Sequence, residues 1–224
     1  MIWSDLTQLA GAILLILGAV LPVVNPLGDA PIFLRMTPGS DEATRALLAR
    51  RIALYSFFFL LGSLLFGSYV LLVFGISIPV VQVAGGAVVC ALGWNLLAER
   101  AKPVDLELTP SHANLIALGR AITPLTLPMT IDAGAISVAI TVGAFHAQSL
   151  KHTVIQLLAD VIGSGVIALS ILLTYHYAHR LGSKIGHTGM MVLIRLSAFI
   201  MLCIGVGISW NGIKSLLAEI GIPG

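Results

Sequence analysis

Polar residues are sparse in this chain and gathered into short stretches, leaving six long apolar segments at 6–34, 52–74, 78–98, 113–145, 153–175 and 189–213. A helix rises about 1.5 Å per residue, so a hydrocarbon layer about 30 Å thick needs about 20 apolar residues. Four segments, 52–74, 78–98, 153–175 and 189–213, have that length, the last with Arg195 inside it. The other two exceed one crossing and are interrupted, the first by Pro22, Pro26, Gly28 and Pro31, the second by Pro124, Pro128 and Gly134. Proline lacks the backbone donor and collides with the preceding turn. Each of these two segments therefore predicts a helix, a break and a second half-helix.

The order of broken helix, span and span occurs in residues 1–98 and again in 113–224, on either side of a polar linker at 99–112. This is the pattern of an internal repeat. Pro22 and Pro26 return as Pro124 and Pro128, Gly62-Ser63 as Gly163-Ser164, and Trp94-Asn95 as Trp210-Asn211. Three crossings per repeat is an odd number, so the second repeat enters from the opposite side. The expected fold is an all-α membrane protein with six transmembrane helices in two inverted repeats of three, the first and fourth helices broken.

Composition sharpens the choice of solvent. Hydrophobic residues make up 58% of the chain and charged ones 10%, and the mean hydropathy is +1.01. That is too little polar surface to cover a water-soluble globule. The bilayer is the expected partner, and a net charge of +2 is too small to indicate nucleic acid. Ten of the 12 basic residues (Arg35, Arg45, Arg50, Arg51, Arg100, Lys102, Arg120, Arg180, Lys184 and Arg195) fall in loops or at helix ends on one side, leaving Lys151 and Lys214 on the other. The positive-inside rule then places both termini on the outer, periplasmic side of an inner membrane. Residues 1–6 carry Asp5 and no basic residue, which predicts a retained first span rather than a cleaved signal. Cys90 and Cys203 lie in apolar segments and are expected to be free thiols.

The two breaks are where chemistry is expected. Backbone groups released inside a bilayer must face protein, water or a ligand, and the exposed N-terminus of a half-helix suits a carboxylate. Asn25, Gly28 and Asp29 lie at the first break and Thr130, Asp132 and Gly134 at the second; these six are the expected substrate-binding residues. Asp29 and Asp132 occupy corresponding places just before the two half-helices and are open to two readings. Either they cap the helices or they hold a cation, whether a substrate ammonium, Na⁺ or a proton. Asp160, four residues before Ser164 in the fifth span, reads either as part of a coupling path or as a packed, hydrogen-bonded side chain.

Other patterns read more plainly. His176, His179 and His187 are expected in a basic loop with no nearby cysteine or carboxylate, as solvated interface residues rather than metal ligands. Ser164 lies between two glycines, but no G-x-S-x-G, H-E-x-x-H or phosphate-binding glycine loop is present. The chain is accordingly not expected to be an enzyme or to need a cofactor beyond a coupling ion.

The segment Asn25-Pro26-Leu27-Gly28-Asp29-Ala30-Pro31-Ile32-Phe33-Leu34 resembles the first signature of the MarC family of membrane proteins. Pro124-Leu125-Thr126-Leu127-Pro128 followed by Gly134-Ala135-Ile136-Ser137 is similar to the second. Gln82-Val83-Ala84-Gly85-Gly86 and Arg195-Leu196-Ser197 extend the likeness over essentially the whole chain. The resemblance implies kinship with small neutral amino acid transporters and so a substrate such as glycine or alanine. The chain departs from the second signature at Asp132 and Ala133, where the family pattern leads one to expect glycine and proline. The expected function is alternating-access secondary transport of small neutral amino acids, with homo-oligomerisation possible. An exporter of amino acids or other small compounds, a channel and a membrane-embedded hydrolase are the alternatives.

Overall fold

The computed structural model describes residues 2–98, 118–144 and 150–219. Among these residues the chain is wholly helical: α1 Ile2–Val24, α2 Pro26–Met36, α3 Glu42–Val73, α4 Ile78–Ala98, a π-helical turn at Leu125–Thr130, α5 Ala133–Ala144 and α6 Leu150–Glu219. The expected linker 99–112 and the start of the fourth apolar segment lie outside the described residues.

Five stretches are long and apolar enough to cross a bilayer: Asp5–Met36, Glu42–Val73, Ile78–Ala98, Val154–Arg180 and Met191–Ala218. Six were expected. In the remaining apolar segment the described helix, α5, has only 12 residues, about 18 Å of rise, too short to cross alone.

α6 has 70 residues but contains Gly186 at φ 71°, ψ 176°, a conformation that glycine alone adopts freely. A straight helix of that length would be about 105 Å long, over three times the hydrocarbon thickness. It turns back at Gly186, because residues on either side of it meet the same short helix: Tyr175 stacks on Phe33 of α2 with centroids 4.7 Å apart, and Ser197 abuts Gly28 of α2.

Two stretches expected as loops are helical. α3 begins at Glu42 rather than at 52, because Asp41 caps it by accepting from the Thr44 N–H at 2.7 Å. Arg45, Arg50 and Arg51 thus extend a helix instead of lying in a loop. His176 and His179 likewise lie on α6, where no proline interrupts the chain between its fifth and sixth apolar segments.

Small residues set how closely the helices approach, as is usual where lipid removes a hydrophobic preference for burial. A methyl group placed on Gly205 would lie 2.7 Å from the Gly86 carbonyl oxygen and 2.8 Å from both Cys90 N and Sγ. One on Gly93 would lie 2.9 Å from the Ala198 carbonyl oxygen, and one on Gly212 2.6 Å from that of Pro79. These contacts run along the whole of α4 and the second limb of α6. Hydrogen bonds from Ser209 Oγ to Val83 O at 3.3 Å and from Cys90 Sγ to Leu202 O at 3.7 Å cross the same interface.

Candidate functional site

The first break is one residue wide. Pro26 starts α2, and a residue before proline is sterically disfavoured in the right-handed helical region. Asn25 takes the left-handed conformation instead, at φ 43°, ψ 57°, which asparagine tolerates better than most residues. Its side-chain oxygen accepts from the Gly28 N–H at 3.3 Å, so Asn25 is the cap of α2 and Pro26 occupies the first helical position, where a missing donor costs least. Asp29 therefore stands inside the first turn of α2, one turn beyond the cap. The expected correspondence with Asp132 fails here.

The second break is broader. Pro128 has no N–H, and Leu127 before it is extended at φ −115°, ψ 126°. Around it the chain makes wide i to i−5 bonds, with Leu127 N donating to Ile122 O at 2.8 Å and Ile131 N to Thr126 O at 2.8 Å. Thr126 and Thr130 donate from their hydroxyls to Ala121 O at 2.7 Å and Leu125 O at 2.8 Å, giving main-chain carbonyls of this turn a partner that lipid would not supply. Asp132 precedes α5, and its Oδ1 accepts from the Ala135 N–H at 2.7 Å. In position and role Asp132 is the counterpart of Asn25, which favours capping for this one acid. Its other oxygen, Oδ2, is buried without a hydrogen-bond partner.

The two breaks face a common, partly open cavity of about 510 Å³. α2 contributes Asp29, Ile32 and Met36, the second break Pro124, Pro128 and Met129, the end of α4 Leu92, Asn95, Leu96 and Ala98, and the second limb of α6 Met201. Asp29 and Asn95 are the polar side chains in a wall otherwise apolar and sulfur-bearing. Asp29 is only 4% exposed, and Asp132 at 3% lies close enough to act on its charge. Tyr175 also lies within electrostatic range of Asp29; it is fully packed against Phe33, and its hydroxyl shares a 2.8 Å hydrogen bond with Thr130 Oγ1. This bond joins α6 to the second break, while the aromatic stack joins α6 to α2.

The expected site residues thus divide by role. Asp29 lines the cavity, and Asp132 stands near it. Asn25 and Gly28 shape the cap, and a methyl group on Gly28 would collide with Asn25 Nδ2 and Ser197 Oγ. Thr130 is tied to Tyr175, and Gly134 is covered by Val89 of α4. Asp160 is not in the cavity wall; on the first limb of α6 it accepts from Gln156 Nε2 at 3.1 Å. Sequence reasoning missed Asn95, Tyr175 and Ser197. Asn95 carried a signal, as a polar residue near the end of an apolar span; Tyr175 meets α2 and the second break, and Ser197 the first break, only through tertiary packing.

Substitutions at Asp132 and at the Tyr175–Thr130 pair probe this framework. Asp132→Ala, which removes the cap acceptor, should cost about 0.5–2 kcal/mol, whereas Asp132→Asn should keep most of it. Thermal unfolding in detergent reads both. Tyr175→Phe should lower stability by about 1 kcal/mol through the lost hydroxyl bond, leaving the Phe33 stack intact; Thr130→Val should cost more, because it also removes the bond to Leu125 O, and no further loss on adding Tyr175→Phe to it would locate the tyrosine's effect in the shared bond.

The chain matches the description "MarC family integral membrane protein" over residues 8–217. Membrane protein YvbG of Bacillus subtilis is 34% identical over 196 residues, covering 87% of this chain and 90% of its own length. Membrane protein MJ1677 of Methanocaldococcus jannaschii is 27% identical over 207 residues, with 91% and 97% covered. The inner membrane protein MarC of Escherichia coli is 27% identical over 218 residues, with 95% and 97% covered. No solved structure matches the chain.

Proposed function

The chain belongs to the MarC family of integral membrane proteins, and on that premise we propose that it is a secondary transporter of small neutral amino acids such as glycine or alanine. The observation that carries this reading is the cavity between the two helix breaks, with one carboxylate in an apolar wall. A small zwitterion needs an anionic partner for its ammonium and donors for its carboxylate. Asp29 supplies the first; the side-chain amide of Asn95 supplies the second. The methionines and leucines leave room for a short side chain and exclude further charge. Enzymatic turnover plays no part in this reading, and no cofactor enters beyond a coupling cation, Na⁺ or a proton, held by Asp29 or Asp132.

Alternating access would follow from two inverted repeats of three spans, the α5 segment completing the sixth crossing, with one repeat rocking against the other. Arg35 near the end of α2 and Arg180 near the reversal of α6 favour a cavity mouth on the cytoplasmic side under the positive-inside rule, and the Escherichia coli relative is an inner membrane protein. Proteoliposomes loaded with unlabelled alanine should take up labelled alanine or glycine in a saturable way, and the uptake should respond to an imposed Na⁺ or proton gradient. Flux that never saturates would instead indicate a channel. No flux of any small amino acid would remove the reading.

A further inference from the structure

Beyond the cavity, α4 and α5 run antiparallel and in close contact, and their facing surfaces are unusually polar for a membrane interior. Val89 lies over Gly134. One turn further, a methyl group on Gly85 would lie 2.9 Å from the Ala133 carbonyl oxygen and 2.9 Å from Ser137 Cβ. At the far end Gln82 Nε2 donates to Thr141 Oγ1 at 3.2 Å. Ser137 Oγ is fully buried with no hydrogen-bond partner, and Asp132 Oδ2, at the cavity end of α5, is in the same condition. A buried polar oxygen without a partner is destabilising, so two on one seam call for an explanation outside their packing.

The geometry supplies one. The cavity occupies the last turns of α4, at Leu92–Ala98, and the seam occupies Gln82–Val89 of the same helix. From Asn95 to Gln82 is about 20 Å along the axis, so cavity and seam together cover most of the membrane thickness. We propose that the α4–α5 seam is the second half of the solute path, closed in this structure and opening toward the membrane face opposite the cavity. Its polar side chains, Asp132, Ser137, Thr141 and Gln82, receive the charged groups of a small zwitterion or its coupling cation in turn. Gly85 and Gly134 let the seam shut without a gap. This rests on the transport reading above.

The test is sidedness of thiol modification. In a Cys90→Ser, Cys203→Ser background, Asn95→Cys and Ser137→Cys are placed singly in oriented proteoliposomes and exposed to a membrane-impermeant cationic methanethiosulfonate. Asn95→Cys is expected to react from one face and Ser137→Cys at least tenfold faster from the other. Reaction of both from the same face, or silence of Ser137→Cys while Asn95→Cys goes to completion, overturns the proposal. If Ser137→Cys does not fold, Thr141→Cys, further along the seam, decides by the same two results. Uptake is scored separately: a silent seam with intact alanine uptake rejects the path and leaves transport standing. Opposite-sided labelling without amino acid uptake keeps the path and rejects the substrate class.

Discussion

Asp29→Asn should reduce alanine uptake roughly ten- to hundredfold while the protein purifies, folds and unfolds as the parent does. Asp29 points into the cavity, and Asn25 caps the helix, so removing its charge takes nothing from the fold. Losing a charge-assisted hydrogen bond to the solute costs about 1.5–3 kcal/mol, which sets the size of the effect. Asparagine preserves shape and one acceptor, so the loss reports charge. Dose-response uptake alongside thermal unfolding distinguishes the two roles of the acid. A folded variant with parental affinity would mean that Asp29 does not meet the solute. A variant with lowered stability would mean that the carboxylate holds the helix instead.

Gly205→Leu should largely prevent accumulation of folded protein, a stronger effect than any cavity substitution. The β-carbon would meet backbone of α4 at Gly86 and Cys90, and backbone cannot rotate away as a side chain can. Overpacking a tight core costs about 1–3 kcal/mol even where neighbours yield; here α4 would have to leave the second limb of α6. Because α4 walls both the cavity and the seam, a partly folded product should also lose uptake. Size-exclusion profiles in detergent provide the readout, with Gly207→Leu as the control, since a methyl group there meets nothing within 4 Å.

What the sequence made legible follows from how local each cause is. The two breaks were readable because proline acts on its own turn and the residue before it. Pro26 and Pro128 mark them in the structure as in the chain. The assignment of caps was less readable, because Asp29 and Asp132 look alike in sequence while only Asp132 immediately precedes its half-helix. Pro26 fixes the start of α2, which moves the cap to Asn25 and turns Asp29 toward the cavity. The helical stretches at 42–51 and 176–185 were missed for a different reason: hydropathy finds what lies in lipid and stays silent where a helix continues into water. Tyr175 and Ser197 were invisible because their positions depend on the reversal at Gly186, which brings residues on opposite sides of it to α2.

Everything functional depends on a polar guest entering the space between Asp29 and the Pro128 turn. With Met129→Cys, which lines that space, in the Cys90→Ser, Cys203→Ser background, the rate of modification by a small hydrophilic thiol reagent can be measured with and without alanine. Ready modification, slowed severalfold by alanine and restored by Asp29→Asn, is the predicted result. A thiol that never reacts, or reacts at one rate whatever small amino acid is present, would contradict it.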